Sequence, residues 1–299
     1  MFTWRKRNSS CADAQRQAIS TMNTPLSDYS HIELSYVTAF YFNEQNSDAL
    51  SSLLKHYAGY PPDVLDRIQF VFVNDGSPVA VEIPLDLNLN LLVLRIDIDI
   101  PWNQPGARNL GMVCARSDKV LLSDLDHEFS SETLRTIIQM KPHSRTFYKM
   151  RRETADGKPY GPHPNTFVLS RARFLKLYGY DEDFCGHYGF DDAMFWRWQR
   201  YNGTRFRYLH RRCCACVRTL DLAHSYHSLQ RDLTWNKSVA EQKRLAWKRF
   251  GPQAGHSRRF LCFPWSKALD LSRVPVPPKT TLRPLWVRTW WWRWLVGGP

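Results

Sequence analysis

The chain has 299 residues, a hydrophobic fraction of 43% and a formal net charge of +13. Its length and apolar content suit a folded domain with a buried core, and no stretch reaches the roughly 20 apolar residues of a membrane span. The charge favours anionic partners, from phosphorylated small molecules to nucleic acid or an anionic lipid surface, without choosing among them.

Residues 1–30 are polar and lack periodicity, which marks a loose lead-in. They begin with positive charge but no apolar run follows, which argues against a secretory signal and for a cytoplasmic protein. The seven cysteines have no zinc-ribbon spacing: Cys213, Cys214 and Cys216 cluster and the others stand alone. Reduced, buried thiols are the expectation.

Strands and helices then alternate. Leu34–Phe42 is rich in Val, Tyr and Phe and reads as a strand. Ser47–Tyr57 carries Leu50, Leu53 and Leu54 at helical spacing. Ile68–Val73 and Leu91–Ile96 are short apolar runs of the kind that form buried parallel strands. Gln104–Ala115 reads as a helix with Pro105 in its first turn. Lys119–Leu122 is a strand that runs into Ser123-Asp124. Ser130 or Ser131 caps a helix through Met140, with Glu132 in the first turn. Beyond it, Phe167–Leu169 predicts a strand, and Arg171–Leu177, Asp191–Tyr201 and Ser238–Phe250 predict helices.

This alternation predicts an α/β fold, a mainly parallel sheet flanked by helices. Residues 31–255 form the expected single domain. Residues 256–299 are a basic, Pro/Trp-rich tail and an irregular extension. Within it, Trp286–Trp294 holds five tryptophans with Arg288 and Arg293. That composition suits peripheral contact with a membrane interface, and equally a tail packed on the domain or a disordered one.

In open sheets of this kind, ligands bind beyond the carboxyl ends of the strands. Three strand ends carry acids or amides: Asn43-Glu44, Asn74-Asp75-Gly76-Ser77 and Asp124-Leu125-Asp126. Two carboxylates one residue apart at a strand end can converge on a divalent cation carried by phosphates, although such a pair is also an ordinary turn. Gln104–Asn109 opens a helix, whose backbone N–H groups and Arg108 suit a diphosphate or a base edge. Gly186-His187-Tyr188-Gly189-Phe190-Asp191-Asp192 leads glycines and aromatics into paired acids at a helix start, where the helix dipole also favours carboxylates. His224 and His227 offer neutral imidazoles for a metal, or are surface or core histidines.

Taken together, Phe42-Asn43-Glu44, Asn74–Ser77, Gly106–Asn109 and Asp124–Asp126 resemble, in order and spacing, family 2 glycosyltransferases of the GT-A (Rossmann-like) fold. The segment Gly186–Asp192 is similar to the Gly-Trp-Gly-x-Glu-Asp motif of β-1,4-galactosyltransferases, with Tyr188 in place of Trp and Asp191 in place of Glu. His224-Ser225 falls near that group's metal-binding His-Ser. The resemblance covers Leu34 to His227 and implies a nucleotide-sugar-binding domain. It implies that Phe42 lies against the base and Asp75 bonds to the base or ribose. Arg108 holds the base or diphosphate, and Asp124 touches the ribose or the metal's water shell. Asp126 and His224 ligate Mn2+ or Mg2+, with His227 as a rival. Asp192 is the general base and Asp191 binds the acceptor sugar. The implied reaction is inverting transfer from a nucleoside-diphosphate sugar, UDP by default, to a glycan, protein or lipid-linked hydroxyl.

Two other readings compete. A nucleotidyltransferase would carry a Gly-rich, Lys-containing loop after the first strand, and Phe40–Asn46 has neither residue. A non-catalytic nucleic-acid- or membrane-binding protein fits the charge but leaves Asp124, Asp126 and Asp192 unexplained, because carboxylates repel phosphate. No specific nucleic acid is expected.

Overall fold

A computed structural model describes residues 27–43, 48–141, 143–218 and 231–278. Four parallel strands form its centre: β1 (Leu34–Phe40), β2 (Ile68–Asn74), β3 (Leu91–Ile96) and β4 (Lys119–Asp124). Between them lie α1 (Asp48–Ala58), the short α2 (Pro62–Leu65) and α3 (Gln104–Cys114). After β4 come β5 (His127–Glu128), α4 (Ser131–Gln139), β6 (Thr146–Lys149), β7 (Arg151–Glu153), β8 (Pro159–Tyr160) and β9 (Phe167–Ser170). The remainder comprises α5 (Arg171–Lys176), α6 (Asp191–Tyr201), β10 (Arg205–Tyr208), β11 (Cys214–Val217), α7 (Thr234–Phe250) and β12 (Trp265–Leu271).

The main sheet has eight strands in the order β10-β6-β9-β4-β1-β2-β3-β12. A smaller sheet, β5-β11-β7-β8, stands beside it. From β1 the chain steps one way to β2 and β3, then returns to place β4 on the other side. A crevice therefore opens beyond the carboxyl ends of β1 and β4, where ligands bind in sheets of this topology.

Alternation along the strands builds a core on each face of the sheet. Tyr36, Phe70, Phe72 and Leu121 pack with Leu50, Leu53 and Leu54 of α1. Val37, Val71, Val73 and Leu122 pack on the opposite face with Leu110 of α3. The Tyr36 ring sits edge-on to Tyr57, Phe70, Phe72 and Phe129 at 5.6–5.9 Å, a geometry that aligns ring edges with electron-rich faces.

The elements read from sequence form, with informative differences. β1 stops at Phe40 because the Phe42 N–H leaves the ladder and donates to Ser77 Oγ at 3.0 Å. α7 starts at Thr234, ahead of Ser238, where Asp232 accepts the Thr234 N–H at 2.8 Å. Residues 265–271, assigned by composition to the tail, form the edge strand β12, antiparallel to β3 with a bulge between Lys267 and Leu269. Its Ser, Lys and Asp content is typical of an exposed edge and hides the strand from a hydrophobicity reading. The Trp286–Trp294 segment lies outside the described residues. Among the described residues, no helix is long and apolar enough to cross a membrane.

α3 approaches the sheet closely at Gly111, where an added Cβ would lie 2.4 Å from Val37 Cγ1 and 3.2 Å from Val73 Cγ2. Both valines are fully buried in strands, so neither can withdraw. Gly111→Ala is expected to destabilise the fold by about 1–3 kcal/mol, as overpacking does, measured by urea denaturation.

Candidate active site

A cleft of about 480 Å³ occupies the crevice. Asp75, Asp124, Asp126, Asp191 and Asp192 all line it. These five carboxylates come from two strand ends and one helix start, and folding brings them together.

The turn after β2 frames the first wall. Asn74 Oδ1 accepts the Ser77 N–H at 2.8 Å, and the Asp75 N–H donates to Phe40 O at 2.9 Å, which fastens the turn to the end of β1. Gly76 has φ +77°, and a Cβ there would lie 2.6 Å from Ile98 O, so glycine alone fits. Asp75 is 2% exposed, and its Oδ1 accepts from Asn103 Nδ2 at 3.0 Å.

The second wall depends on Arg108. Its side chain is 1% exposed and donates to Asp124 Oδ1 at 2.8 Å, Gln104 Oε1 at 3.0 Å and Asp191 Oδ2 at 3.4 Å. Burial disfavours the Arg108 charge, but Asp124 and Asp191 outweigh it and raise the pKa. Burial also works against the Asp124 charge, yet Arg108 and His163 hold its carboxyl below the usual range. Asp191 responds in the opposite sense. Burial, with Asp192 alongside, outweighs Arg108 and pushes its carboxyl up to about 6. One acid is thus firmly ionised and the other titrates near neutrality, a separation typical of sites that move protons.

The loop before α6 is held from α7. Asn236, fully buried, donates through Nδ2 to the carbonyls of Phe184, His187 and Gly189 at 3.1, 2.8 and 2.8 Å. Phe190 then adopts φ +65° and starts α6, so that Asp191 turns toward Arg108 while Asp192 also faces the cleft. On the opposite side, Asn109 bonds to Tyr180 N and O and to Glu182 Oε1, each at 2.9 Å. Asn109 thereby fixes the segment that leads into the same loop.

Asp126 Oδ1 lies 2.6 Å from His127 Nδ1, but the two are not aligned for a hydrogen bond and neither atom has another protein partner. His127 Nε2 is 3.2 Å from Arg152 Nη1. His163 Nδ1 is 3.3 Å from Asp124 Oδ2, and burial lowers its pKa, which favours the neutral imidazole.

Two expected contacts take other positions. Phe42 is 2% exposed and packs its ring on Phe40 at 5.4 Å, so Tyr41 and Phe40 line the cleft in its place. Arg108 lies behind the wall, bound to carboxylates, and does not line the cleft. His224, His227 and Glu44 lie outside the described residues. Trp102 and His163 line the cleft and were not singled out from sequence. Trp102, in the loop between β3 and α3, meets Tyr188 edge-on at 4.7 Å. The signals were faint: a tryptophan in a loop beyond Asp97 and Asp99, and a histidine between Pro162 and Pro164.

The chain is similar to solved structures of S. aureus TarS. For TarS 1-349 in complex with UDP-GlcNAc the TM-score is 0.54 at 14% identity, over 74% of this chain and 69% of that one. For the UDP complex it is 0.50 at 16% identity, over 74% and 68%. The chain has the GT-A fold. The catalytic domain of Drosophila β1,4-galactosyltransferase 7 with xylobiose aligns at a TM-score of 0.46 and 12% identity, over 68% and 77%. No protein-family model matches the chain, and no curated protein matches its sequence.

Two outcomes follow from the Arg108 cluster. Arg108→Met leaves Asp124 and Asp191 without their cation and should cost about 3–5 kcal/mol in urea denaturation. Arg108→Lys should recover little, because one ammonium cannot span Asp124, Asp191 and Gln104. Asp191 sets a pH dependence. Its folded carboxyl sits near 6, above an unfolded value of about 3.9, so the folded chain takes up a proton first as pH falls. This group therefore adds stability between pH 7 and pH 5. In Asp191→Asn, Tm should fall further, or rise less, than in wild type on acidification across that window. An unchanged difference in Tm would remove Asp191 as the source.

Proposed function

We propose that the protein is a glycosyltransferase that moves a sugar from a nucleoside-diphosphate sugar to an acceptor hydroxyl with inversion. The observation that carries the reading is the gathering of Asp124, Asp126, Asp191 and Asp192 in one cleft at the β1/β4 switch point. The fold is shared with TarS, whose structure holds UDP-GlcNAc.

The donor takes the β1/β2/β4 side of the cleft. Tyr41 offers aromatic surface to the base, and Asp75 is placed to accept a hydrogen bond from base or ribose. The residues also fit a divalent cation. Asp124 and Asp126 supply hard oxygen donors, and Asp126 Oδ1 is buried without a hydrogen bond. No group of three or more metal-type ligands occurs among the described residues. Mg2+ or Mn2+ held by these two carboxylates would take further ligands from diphosphate oxygens and water, and the sequence resemblance adds His224. When bound, such a cation neutralises charge on the departing diphosphate.

Asp192 acts on the acceptor. It removes the proton from the attacking hydroxyl as the oxygen approaches the anomeric carbon opposite the leaving group. Asp191, held by Arg108, orients the acceptor through hydrogen bonds. The transition state resembles an oxocarbenium ion, and no covalent enzyme intermediate is needed. UDP is the default nucleotide.

The test is a thermal-shift screen of nucleoside diphosphates and nucleotide sugars, with and without manganese. Wild type should be stabilised by one nucleotide in a metal-dependent way, and Asp126→Ala should lose that shift. Asp192→Asn should keep the shift but lose transfer by about a hundredfold or more, the scale of a general base. Wild-type turnover in Asp192→Asn sinks the assignment.

A further inference from the structure

The segment Arg197–Arg218 contains seven arginines and no Asp or Glu. It runs from α6 through the edge strand β10 to the end of β11. β4 is antiparallel to β9, β9 to β6, and β6 is parallel to β10. The carboxyl ends of β6 and β10 therefore point the same way as that of β4, toward the rim that carries the cleft.

On this rim cations lie against aromatic faces. Lys149 Nζ is 4.5 Å from the Trp196 ring centroid and 5.5 Å from that of Tyr208. The Arg151 guanidinium is 4.9 Å from Tyr208, and that of Arg152 is 4.5 Å from Tyr160. Tyr208 and Tyr160 are 48% and 54% exposed. None of these three cations forms an ion pair with a described carboxylate, although acids elsewhere are engaged, as Asp63 is by Arg135 and Asp66 by Arg273.

The track meets the cleft at two points. Trp196 Nε1 donates to Pro164 O at 3.0 Å, and Pro164 lines the cleft. Arg152 Nη1 contacts His127, whose other ring nitrogen faces Asp126. Exposed aromatic rings attract the polarised C–H groups of a sugar ring, and unpaired guanidinium and ammonium groups bind carboxylate, sulfate or phosphate. We infer that the acceptor is an anionic saccharide chain, laid along the Lys149–Arg151–Tyr208 rim with its reactive end in the cleft. Continuity with the cleft favours a chain molecule over a lipid surface, since a bilayer can cover a face but cannot enter a crevice. The inference rests on the glycosyl-transfer reading of that cleft.

The experiment measures binding of an oligogalacturonate and of a neutral malto-oligosaccharide of equal length, at low and high salt. Wild type should bind the anionic oligomer more tightly and lose affinity with salt. Lys149→Ser combined with Arg151→Ser should weaken that binding about tenfold, with the melting temperature and the nucleotide-induced shift unchanged. Arg151→Ser alone, about threefold weaker, serves if the pair does not fold. Equal affinity for the neutral oligomer, no effect of the substitutions in a folded variant, or binding confined to vesicles of anionic phospholipid would each overturn the inference. The nucleotide shift separates the two ideas. A wild type stabilised by nucleotide that ignores the anionic oligomer defeats this inference alone. A wild type that no nucleotide stabilises defeats the transferase reading itself.

Discussion

One buried guanidinium organises the site. Arg108 has almost no contact with solvent, and a charge in that position is tolerated only when opposite charges accompany it. Asp124 and Asp191 supply them, one from the end of β4 and one from the start of α6. The requirement works in both directions. The arginine needs the carboxylates, and the carboxylates cannot drift apart without stranding it. The end of β4 and the start of α6 are therefore held in register across the crevice. The same cation acts unequally on its partners: Asp124 remains charged and Asp191 titrates near neutrality.

Neutral amides provide the rest of the frame. Asn103 holds Asp75, Asn109 holds the segment at Tyr180, and Asn236 gathers three carbonyls of the loop ahead of α6. An amide can bond to backbone without adding charge near carboxylates whose ionisation matters. Neutral amides thus shape the cleft walls, with Arg108 set behind them and Arg231 lining the cleft together with the acids. Outside the cleft the pattern reverses, and Arg197–Arg218 concentrates cations without any acid. That stretch is one block of the chain's positive excess, and residues 231–299 are another.

Much of this was legible in the sequence. The bounds of Leu91–Ile96 and Asp191–Tyr201 coincide with the elements in the structure, because a buried parallel strand and an amphipathic helix each have a distinctive pattern. Asp124 and Asp126 could be placed at a sheet rim because an apolar run ends directly in them. The gathering of Asp75 with these acids follows from the strand order β4-β1-β2, which the alternation of elements left open.

What the sequence alone determined was the class of fold and the acids at its strand ends, since periodicity and strand-end chemistry are local properties. The tertiary structure decided which way side chains turned. Phe42 went into the core because its backbone left the ladder for Ser77. Arg108 went behind the wall, toward two acids from distant segments, and His163 and Trp102 came into the cleft from loops without periodicity. β12 emerged from a segment that read as tail because an edge strand needs a partner in β3 more than it needs apolar residues. Each of these outcomes depends on contacts between residues far apart in the chain, and no window of sequence contains both partners.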